Sequence, residues 1–141
     1  MGIPVSGTNA APLTPPAGDL ANAYMGGSFT ATGTSKWFGC QGPFNALLWG
    51  NGGPNGNWSG TVRLEWTFDG GTTWLVCGIG GSGQQAVYTS AGTGSDVSLA
   101  IDQVEAGVAF RWNCTVYNSG TINYRLSTTS GAPTSWGQPN I

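Results

Sequence analysis

The sequence contains no histidine and very few charged residues. Of its 141 residues, four are Lys or Arg and six are Asp or Glu, together 7%, against roughly 25% in an ordinary soluble domain. The absence of histidine excludes His-based catalytic triads, the usual zinc proteases and the most common general base. Four basic residues without a cluster do not neutralise a run of phosphates, so nucleic acid is not an expected partner. No apolar run approaches the ~20 residues of a membrane span, so no membrane association is expected.

Glycine and tryptophan are abundant instead. The chain has 25 Gly and 7 Trp, and 39% of its residues are hydrophobic. This is too many large hydrophobic residues for a disordered chain, and the length fits one domain. The composition therefore indicates a β-rich domain whose function is contact rather than chemistry.

The N-terminus lacks the basic start and apolar stretch of a secretory signal, so synthesis in a reducing cytoplasm is expected. Cys40, Cys77 and Cys114 are an odd number, so at least one thiol is unpaired within the chain. Each lies among apolar residues, where a cysteine packs as a small hydrophobic side chain. The few acidic residues form no dense loop, so neither a metal site nor another cofactor is expected.

Residues 1–27 form a distinct N-terminal segment. They include four of the eight prolines, at positions 4, 12, 15 and 16, which prevent a regular helix or a central strand. An extended arm is therefore predicted, and its many apolar side chains indicate contact with a neighbouring subunit; packing on its own domain is the alternative. The expected contact residues in this arm are Ile3, Pro4, Val5, Leu13, Pro15, Pro16, Leu20 and Tyr24.

Two tryptophans outside the arm are further candidates for assembly contacts. Trp58 lies in a loop of Gly, Asn and Pro over residues 50–60, and Trp136 lies in the tail, residues 129–141. Exposed aromatic side chains mark either a protein interface or a sugar-stacking surface. The favoured interpretation for both tryptophans is a protein interface.

From residue 28 to residue 128, alternating apolar and polar residues predict β-strands. Residues 61–68 place Val62, Leu64, Trp66 and Phe68 on one face, and residues 108–117 place Val108, Phe110, Trp112, Cys114 and Val116 on one face. A turn at 118–120 predicts a hairpin with residues 121–127. Weaker strands are predicted at 28–32, 35–40, 44–49, 73–79, 85–89 and 96–101. The predicted fold is an all-β, antiparallel sandwich or barrel, with a sandwich preferred and immunoglobulin-like and jelly-roll strand orders both open.

Two groups of residues are candidates for chemistry. Residues 67–74 (TFDGGTTW) resemble the Asp-box of sialidase-type propellers, but 141 residues are too few for a propeller, so a stabilised hairpin turn is predicted. Arg63, Arg111 and Arg125 lie on outward rows, where outward Glu65 can pair with one of them. Three arginines can also clamp a carboxylate, or they can remain single charges on the exposed face of a sheet. Single surface charges are the favoured interpretation, and no catalytic residue is expected.

Two stretches, GTVRLEWTFDGGTTWLVC and EAGVAFRWNCTVYNSGTINYRLS, resemble small β-sandwich head decoration or cement proteins of tailed bacteriophages. The resemblance covers roughly residues 59–128. It implies a non-enzymatic protein on the outer capsid surface of the virion. Such a protein would bind the major capsid protein, form a symmetric homo-oligomer and stabilise contacts between capsomers.

Two functions remain open beside this one. The Trp, Asn, Thr and Gly content is compatible with a carbohydrate-binding β-sandwich, either free or at a phage tail tip. A minor head–tail connector or fibre subunit is a third possibility, and an enzyme is the last.

Overall fold

The computed structural model describes residues 24–51, 56–79, 83–92 and 96–128. These residues form twelve β-strands: β1 Tyr24–Phe29, β2 Gly33–Thr34, β3 Phe38–Gly39, β4 Gly42–Gly50, β5 Trp58–Thr67, β6 Leu75–Val76, β7 Gly78–Ile79, β8 Gln84–Gln85, β9 Val87–Ala91, β10 Val97–Gln103, β11 Ala109–Gly120 and β12 Ile122–Ser127. The described part of the chain has no helix long and apolar enough to cross a membrane.

The strands form two main antiparallel sheets and one small hairpin. A four-stranded sheet has the order β1-β12-β4-β10, and a six-stranded sheet is built on β2-β11-β5-β6, with β3 beside β11 and β9 beside β5. The predicted all-β antiparallel sandwich is confirmed. Most strands overlap the predicted ones, but β1 begins four residues before the predicted strand at 28–32 and β2 lies outside every predicted strand. The longest pairing is between β5 and β11.

In the six-stranded sheet, each outer position is filled by two short strands in line with each other, with a break between them. β2 and β3 both pair with β11, and between them the amide of Ser35 donates to the carbonyl of Trp112 at 2.9 Å. β6 and β9 both pair with β5. Between them, Cys77 and Ala86 form backbone hydrogen bonds with each other and with Leu64, and so span the break. The intervening β7 and β8 pair with each other as a separate hairpin. When each interrupted strand is counted once and the hairpin is set aside, eight strands remain, in the order 1-8-3-6 and 2-7-4-5. This is the jelly-roll order of two four-stranded sheets, which the sequence pattern left open.

The core lies between the two sheets. Phe44 on β4 packs against Phe110 on β11 with ring centroids 4.4 Å apart, and the indole N–H of Trp112 donates to the carbonyl of Arg125 at 3.4 Å. The largest fully buried side chains come from both sheets: Trp58, Trp112, Phe38, Phe110, Met25, Leu48, Leu64, Ile122 and Leu126. Burial of these large apolar groups is the main stabilising contribution of the fold.

The predicted hairpin at residues 118–120 is wrong. β11 belongs to the six-stranded sheet and β12 to the four-stranded sheet, so the chain changes sheets after Gly120. The reason is that β5 pairs with β11 as far as Trp58 opposite Gly120, with register shifts after Cys114 and after Tyr117. Gly120 has a φ of 85°, which suits glycine at this corner. The shifts also leave Val116, predicted to be buried, 46% exposed.

The predicted boundary of the arm at residue 27 lies too far along the chain. β1 begins at Tyr24 and pairs with β12 over its whole length, and Met25 is part of the core. No proline interrupts the chain between Pro16 and Pro43, so nothing prevents a strand here. The rest of the predicted arm and the predicted tail, residues 129–141, lie outside the described residues.

Candidate functional site

Trp58 is buried, so its prediction as an exposed loop residue is wrong. It starts β5, its side chain is fully inaccessible, and its carbonyl accepts hydrogen bonds from Ser90 Oγ at 2.7 Å and from the amide of Gly92 at 2.9 Å. The sequence does contain evidence for an inward Trp58. It lies an even number of positions before Val62 and Leu64, so in a continuous strand all three side chains lie on the same face. Pairing with β11 extends the strand back into the glycine-rich segment and turns Trp58 inward.

Tyr24 is the one predicted contact residue that remains on the described surface. It lies at the start of an outermost strand, is 38% exposed, and has the guanidinium of Arg125 4.2 Å from its ring centroid. The other predicted contact residues lie outside the described residues: Ile3, Pro4, Val5, Leu13, Pro15, Pro16, Leu20 and Trp136. For these, the assignment stays a prediction.

Glu65 forms the centre of a polar cluster on the outer face of the six-stranded sheet. Its Oε2 accepts hydrogen bonds from Arg63 Nε at 2.6 Å and Asn113 Nδ2 at 3.0 Å, and its Oε1 accepts one from Arg111 Nε at 2.8 Å. The favoured interpretation of single charges on an exposed face is wrong for Arg63 and Arg111, since both bind Glu65, which is 1% exposed. The register explains this: Arg111 lies directly opposite Glu65, and Asn113 lies opposite Arg63. We call these four residues the Glu65 cluster.

Two tryptophans cover one side of the Glu65 cluster. The guanidinium of Arg111 lies 3.8 Å from the ring centroid of Trp74, and Trp37 packs edge-on against Trp74 with centroids 5.2 Å apart. Trp37 in turn abuts Gly71, where any Cβ would collide with the indole ring. The cluster is therefore shielded by aromatic rings that the turn after β5 holds in place.

That turn is the one predicted from residues 67–74. Asp69 Oδ1 accepts hydrogen bonds from the amide of Thr73 at 2.8 Å and from Thr67 Oγ1 at 2.9 Å, and Thr67 Oγ1 accepts one from the amide of Gly71 at 2.9 Å. Gly70 and Gly71 have φ values of 75° and 97°. The prediction of a stabilised hairpin turn is confirmed.

The charge of Glu65 is stabilised by its partners. Burial raises the pKa of the carboxyl, but hydrogen bonds from Asn113, Arg111 and Arg63, together with the positive charge of Arg111, outweigh burial and bring the pKa below its ordinary value. The Glu65 cluster therefore carries two guanidinium charges and one carboxylate charge at neutral pH.

A hydrophobic patch lies at the end of the β5–β6 hairpin. Trp66 and Phe68 have ring centroids 5.9 Å apart, and Leu75 is directly opposite Trp66. Phe68 and Leu75 are each 43% exposed, whereas Phe68 was predicted to face the core. Because β5 ends at Thr67, Phe68 lies beyond the paired strands and in the turn. These three residues are called the hydrophobic patch below.

The outer face of the four-stranded sheet carries a different group. Ser28 Oγ donates to Asn123 Oδ1 at 2.7 Å, and Asn123 Nδ2 donates to Asn51 Oδ1 at 2.9 Å. Trp49 lies opposite Asn123 on the same outer face and is half-buried. These four residues are called the amide strip. They combine an aromatic ring with amide and hydroxyl groups, and sequence analysis had not singled them out.

The described residues hold little that supports acid–base or thiol chemistry. A shallow cleft of about 200 Å³ on the four-stranded sheet is lined by one titratable side chain, Asp102. All three cysteines are free, and burial raises the pKa of Cys40 to about 11 and also raises that of Cys77 and Cys114. With raised pKa values these thiols stay protonated at neutral pH, and a protonated thiol is a weak nucleophile. The prediction that the cysteines pack as hydrophobic side chains is confirmed for Cys77 and Cys114, which belong to the core.

A metal site also has no basis in this part of the structure. Within the four described ranges, no group of three or more His, Cys, Asp or Glu side chains is placed to hold a metal ion.

Comparison with known proteins gives no relative. No family model matches the chain, and neither a curated protein nor a solved structure matches it. Its function is therefore inferred from the surfaces of the molecule itself.

Proposed function

We propose that this chain is a non-enzymatic structural protein of a bacteriophage virion, of the capsid decoration or cement type. It binds the major capsid protein on the outer capsid surface, associates with further copies of itself and stabilises contacts between capsomers. The observation that carries this proposal is the hydrophobic patch. Jelly-roll domains occur in viral capsid proteins and in lectins, so the architecture is compatible with the proposal without selecting it.

The hydrophobic patch supports binding to another protein. Phe68 and Leu75 expose large apolar side chains beside Trp66, at the end of a hairpin whose turn is fixed by Thr67 and Asp69. Contiguous exposed aromatic and aliphatic groups are typical of protein interfaces. A rigid hairpin loses little conformational freedom when it binds, which favours affinity.

The edges of the four-stranded sheet support a second kind of contact. β1 and β10 are the outermost strands of this sheet in the described residues. An edge strand presents backbone N–H and C=O groups to which an extended segment of another chain can pair. We assign residues 1–23, which precede β1, to such contacts with a neighbouring subunit.

Binding of the purified protein to undecorated capsid shells tests the role of the hydrophobic patch. Phe68→Ser and Leu75→Ser should each weaken binding about tenfold, because each removes an exposed apolar contact without opening the core. Val104→Ser is the matched control, since Val104 is 83% exposed and lies outside the patch. Equal binding by all three variants would contradict the proposal.

Deletion of residues 1–23 tests the role of the arm. The deletion ends before β1, so the pairing of β1 with β12 is preserved. Occupancy of the shells should fall, because the contacts assigned to the arm are lost. Undiminished occupancy would refute the arm's role while leaving the role of the patch intact.

A carbohydrate-binding module is the second candidate, and the amide strip favours it. An aromatic ring beside amide and hydroxyl groups suits a sugar, whose apolar face stacks while its hydroxyls form hydrogen bonds. A glycan array separates the two functions: a carbohydrate-binding module should bind specific glycans and lose them in Trp49→Ala, whereas a decoration protein should bind none. Leu47→Ala, on the same outer face, is the control. A minor connector or fibre subunit, the third candidate, is separated by its copy number per particle.

A further inference from the structure

Arg63 and Arg111 each donate a hydrogen bond to Glu65 from Nε. The Nε of Arg63 contacts Oε2 at 2.6 Å, and the Nε of Arg111 contacts Oε1 at 2.8 Å. Among residues 24–51, 56–79, 83–92 and 96–128, the hydrogen bonds that these two arginines donate to side chains come from Nε. A guanidinium has five N–H donors, four of them on the Nη groups. The Nη donors of each arginine are therefore the ones suited to an acceptor from outside the described structure.

The two arginines are held in fixed positions. Arg111 is confined between Glu65 and the ring of Trp74, and Arg63 is fixed at the other oxygen of the same carboxylate. Both remain accessible, with 39% of the Arg63 side chain and 17% of the Arg111 side chain exposed. Groups that are already ordered lose little entropy on binding, so their Nη donors are suited to a ligand.

The charge of the cluster selects the kind of ligand. Two guanidinium groups and one carboxylate leave a net charge of about +1 at neutral pH, which suits a single anionic group rather than a run of phosphates. The planar fork of a guanidinium matches the two oxygens of a carboxylate. We propose that Arg63 and Arg111 form a binding site for a carboxylate on an acidic side chain of a partner protein. The identification of that partner as a capsid subunit rests on the proposed function, whereas the carboxylate site itself does not.

The site can be tested on the isolated full-length protein by NMR of the arginine side-chain N–H groups during titration with sodium acetate. Acetate should shift the Arg63 and Arg111 signals to saturation, and acetamide, its neutral counterpart, should not. Arg63→Lys and Arg111→Lys should each weaken acetate binding about tenfold, because lysine keeps the charge but lacks the planar fork. Arg125→Lys is the matched control: Arg125 lies on the other sheet over Tyr24.

Three outcomes would overturn the site: no saturable shift with acetate, equal shifts with acetamide, or equal weakening by Arg125→Lys. Titration with sodium phosphate distinguishes the ligand class, and tighter binding of phosphate than of glutarate, a dicarboxylate of similar charge, would overturn the assignment to carboxylates. Binding to capsid shells is a separate measurement. Acetate binding without shell binding would refute the proposed function and support the carboxylate site. Equal shell binding by Arg63→Lys and the unaltered protein would refute the role of Arg63 in partner contact.

Discussion

The outer faces of the two sheets satisfy their polar groups in different ways. On the six-stranded sheet, the carboxylate of Glu65 is buried and bound by three side chains, with two tryptophans packed beside them. On the four-stranded sheet, the hydrogen bonds of the amide strip join exposed or half-buried side chains. The first arrangement is tied to the stability of the fold, because a buried charge needs its partners. The second is open to solvent, so its residues can be replaced at little cost.

The largest loss of stability is expected from a substitution in the core. Trp58→Ala should destabilise the protein by about 3–5 kcal/mol, because it leaves a large cavity between the sheets. Urea unfolding followed by circular dichroism measures the change. A loss of less than about 0.5 kcal/mol, as for an exposed loop residue, would contradict the inward orientation of Trp58.

The next largest effect is expected at the Glu65 cluster. Glu65→Ala should cost about 3 kcal/mol, because it leaves Arg111 and Asn113 half-buried without their acceptor. The partial exposure of Arg63 places the cost at the low end for a buried ion pair. The same urea measurement applies. A cost equal to that of an amide-strip substitution would remove the distinction between the two faces.

The hairpin turn beside the Glu65 cluster should show an intermediate effect. Thr67 is fully buried, and its hydroxyl accepts a hydrogen bond from the amide of Gly71. Thr67→Val keeps the shape but leaves that amide unpaired, so a loss of about 1–2 kcal/mol is expected. Thr61→Val is the control, because the hydroxyl of Thr61 bonds to Thr89 on the exposed face. Equal losses in both variants would show that burial of the hydroxyl is not the cause.

The Glu65 cluster should also give stability a pH dependence. The pKa of Glu65 in the folded protein lies below its ordinary value of 4.5, so its stabilisation is complete above pH 4.5. It is then lost as the pH falls through the folded pKa. The free energy of unfolding should therefore fall less steeply with acid in Glu65→Gln than in the unaltered protein. Glu105→Gln, at an exposed position, is the control, and a Glu65→Gln slope equal to that of the unaltered protein would contradict this account.

The smallest effect is expected in the amide strip. Asn123→Ala removes hydrogen bonds to Ser28 and Asn51, which water can replace at this surface. A change of less than about 0.5 kcal/mol is expected from urea unfolding. A loss of 2 kcal/mol or more, on the scale of a buried hydrogen-bonded group, would show that both faces depend equally on their polar contacts.

Much of the fold follows from alternation in the sequence, and less of the candidate site does. Val62 and Leu64 predict the inner face of β5, and the same parity extended backward includes Trp58, which the surrounding Gly and Asn residues obscured. Alternation also predicts that Glu65 points away from the core, and this is correct. It does not predict that the side chain is buried on that outer face. The burial of Glu65 depends on register with β11 and on rings from Trp37 and Trp74, all distant in sequence.

The change of sheet after β11 was hidden for a similar reason. Residues 118–120 have the composition of a hairpin turn, but their pairing with β5 is a non-local interaction that local propensity does not encode. The hydrophobic patch depends on where β5 ends, and strand boundaries are set by the partner strand as much as by the residues themselves. The jelly-roll order likewise becomes visible only when the interrupted strands are recognised.

The proposed function makes this chain part of a phage virion, so its location and copy number in purified particles are the most direct test. Quantitative mass spectrometry of the particles gives the copy number, and labelling of intact particles shows which proteins are accessible from outside. A decoration protein should be present in many copies, in a fixed ratio to the major capsid protein, on the outer capsid surface. Its absence from the particle, or a presence of only a few copies at the tail, would contradict the proposal.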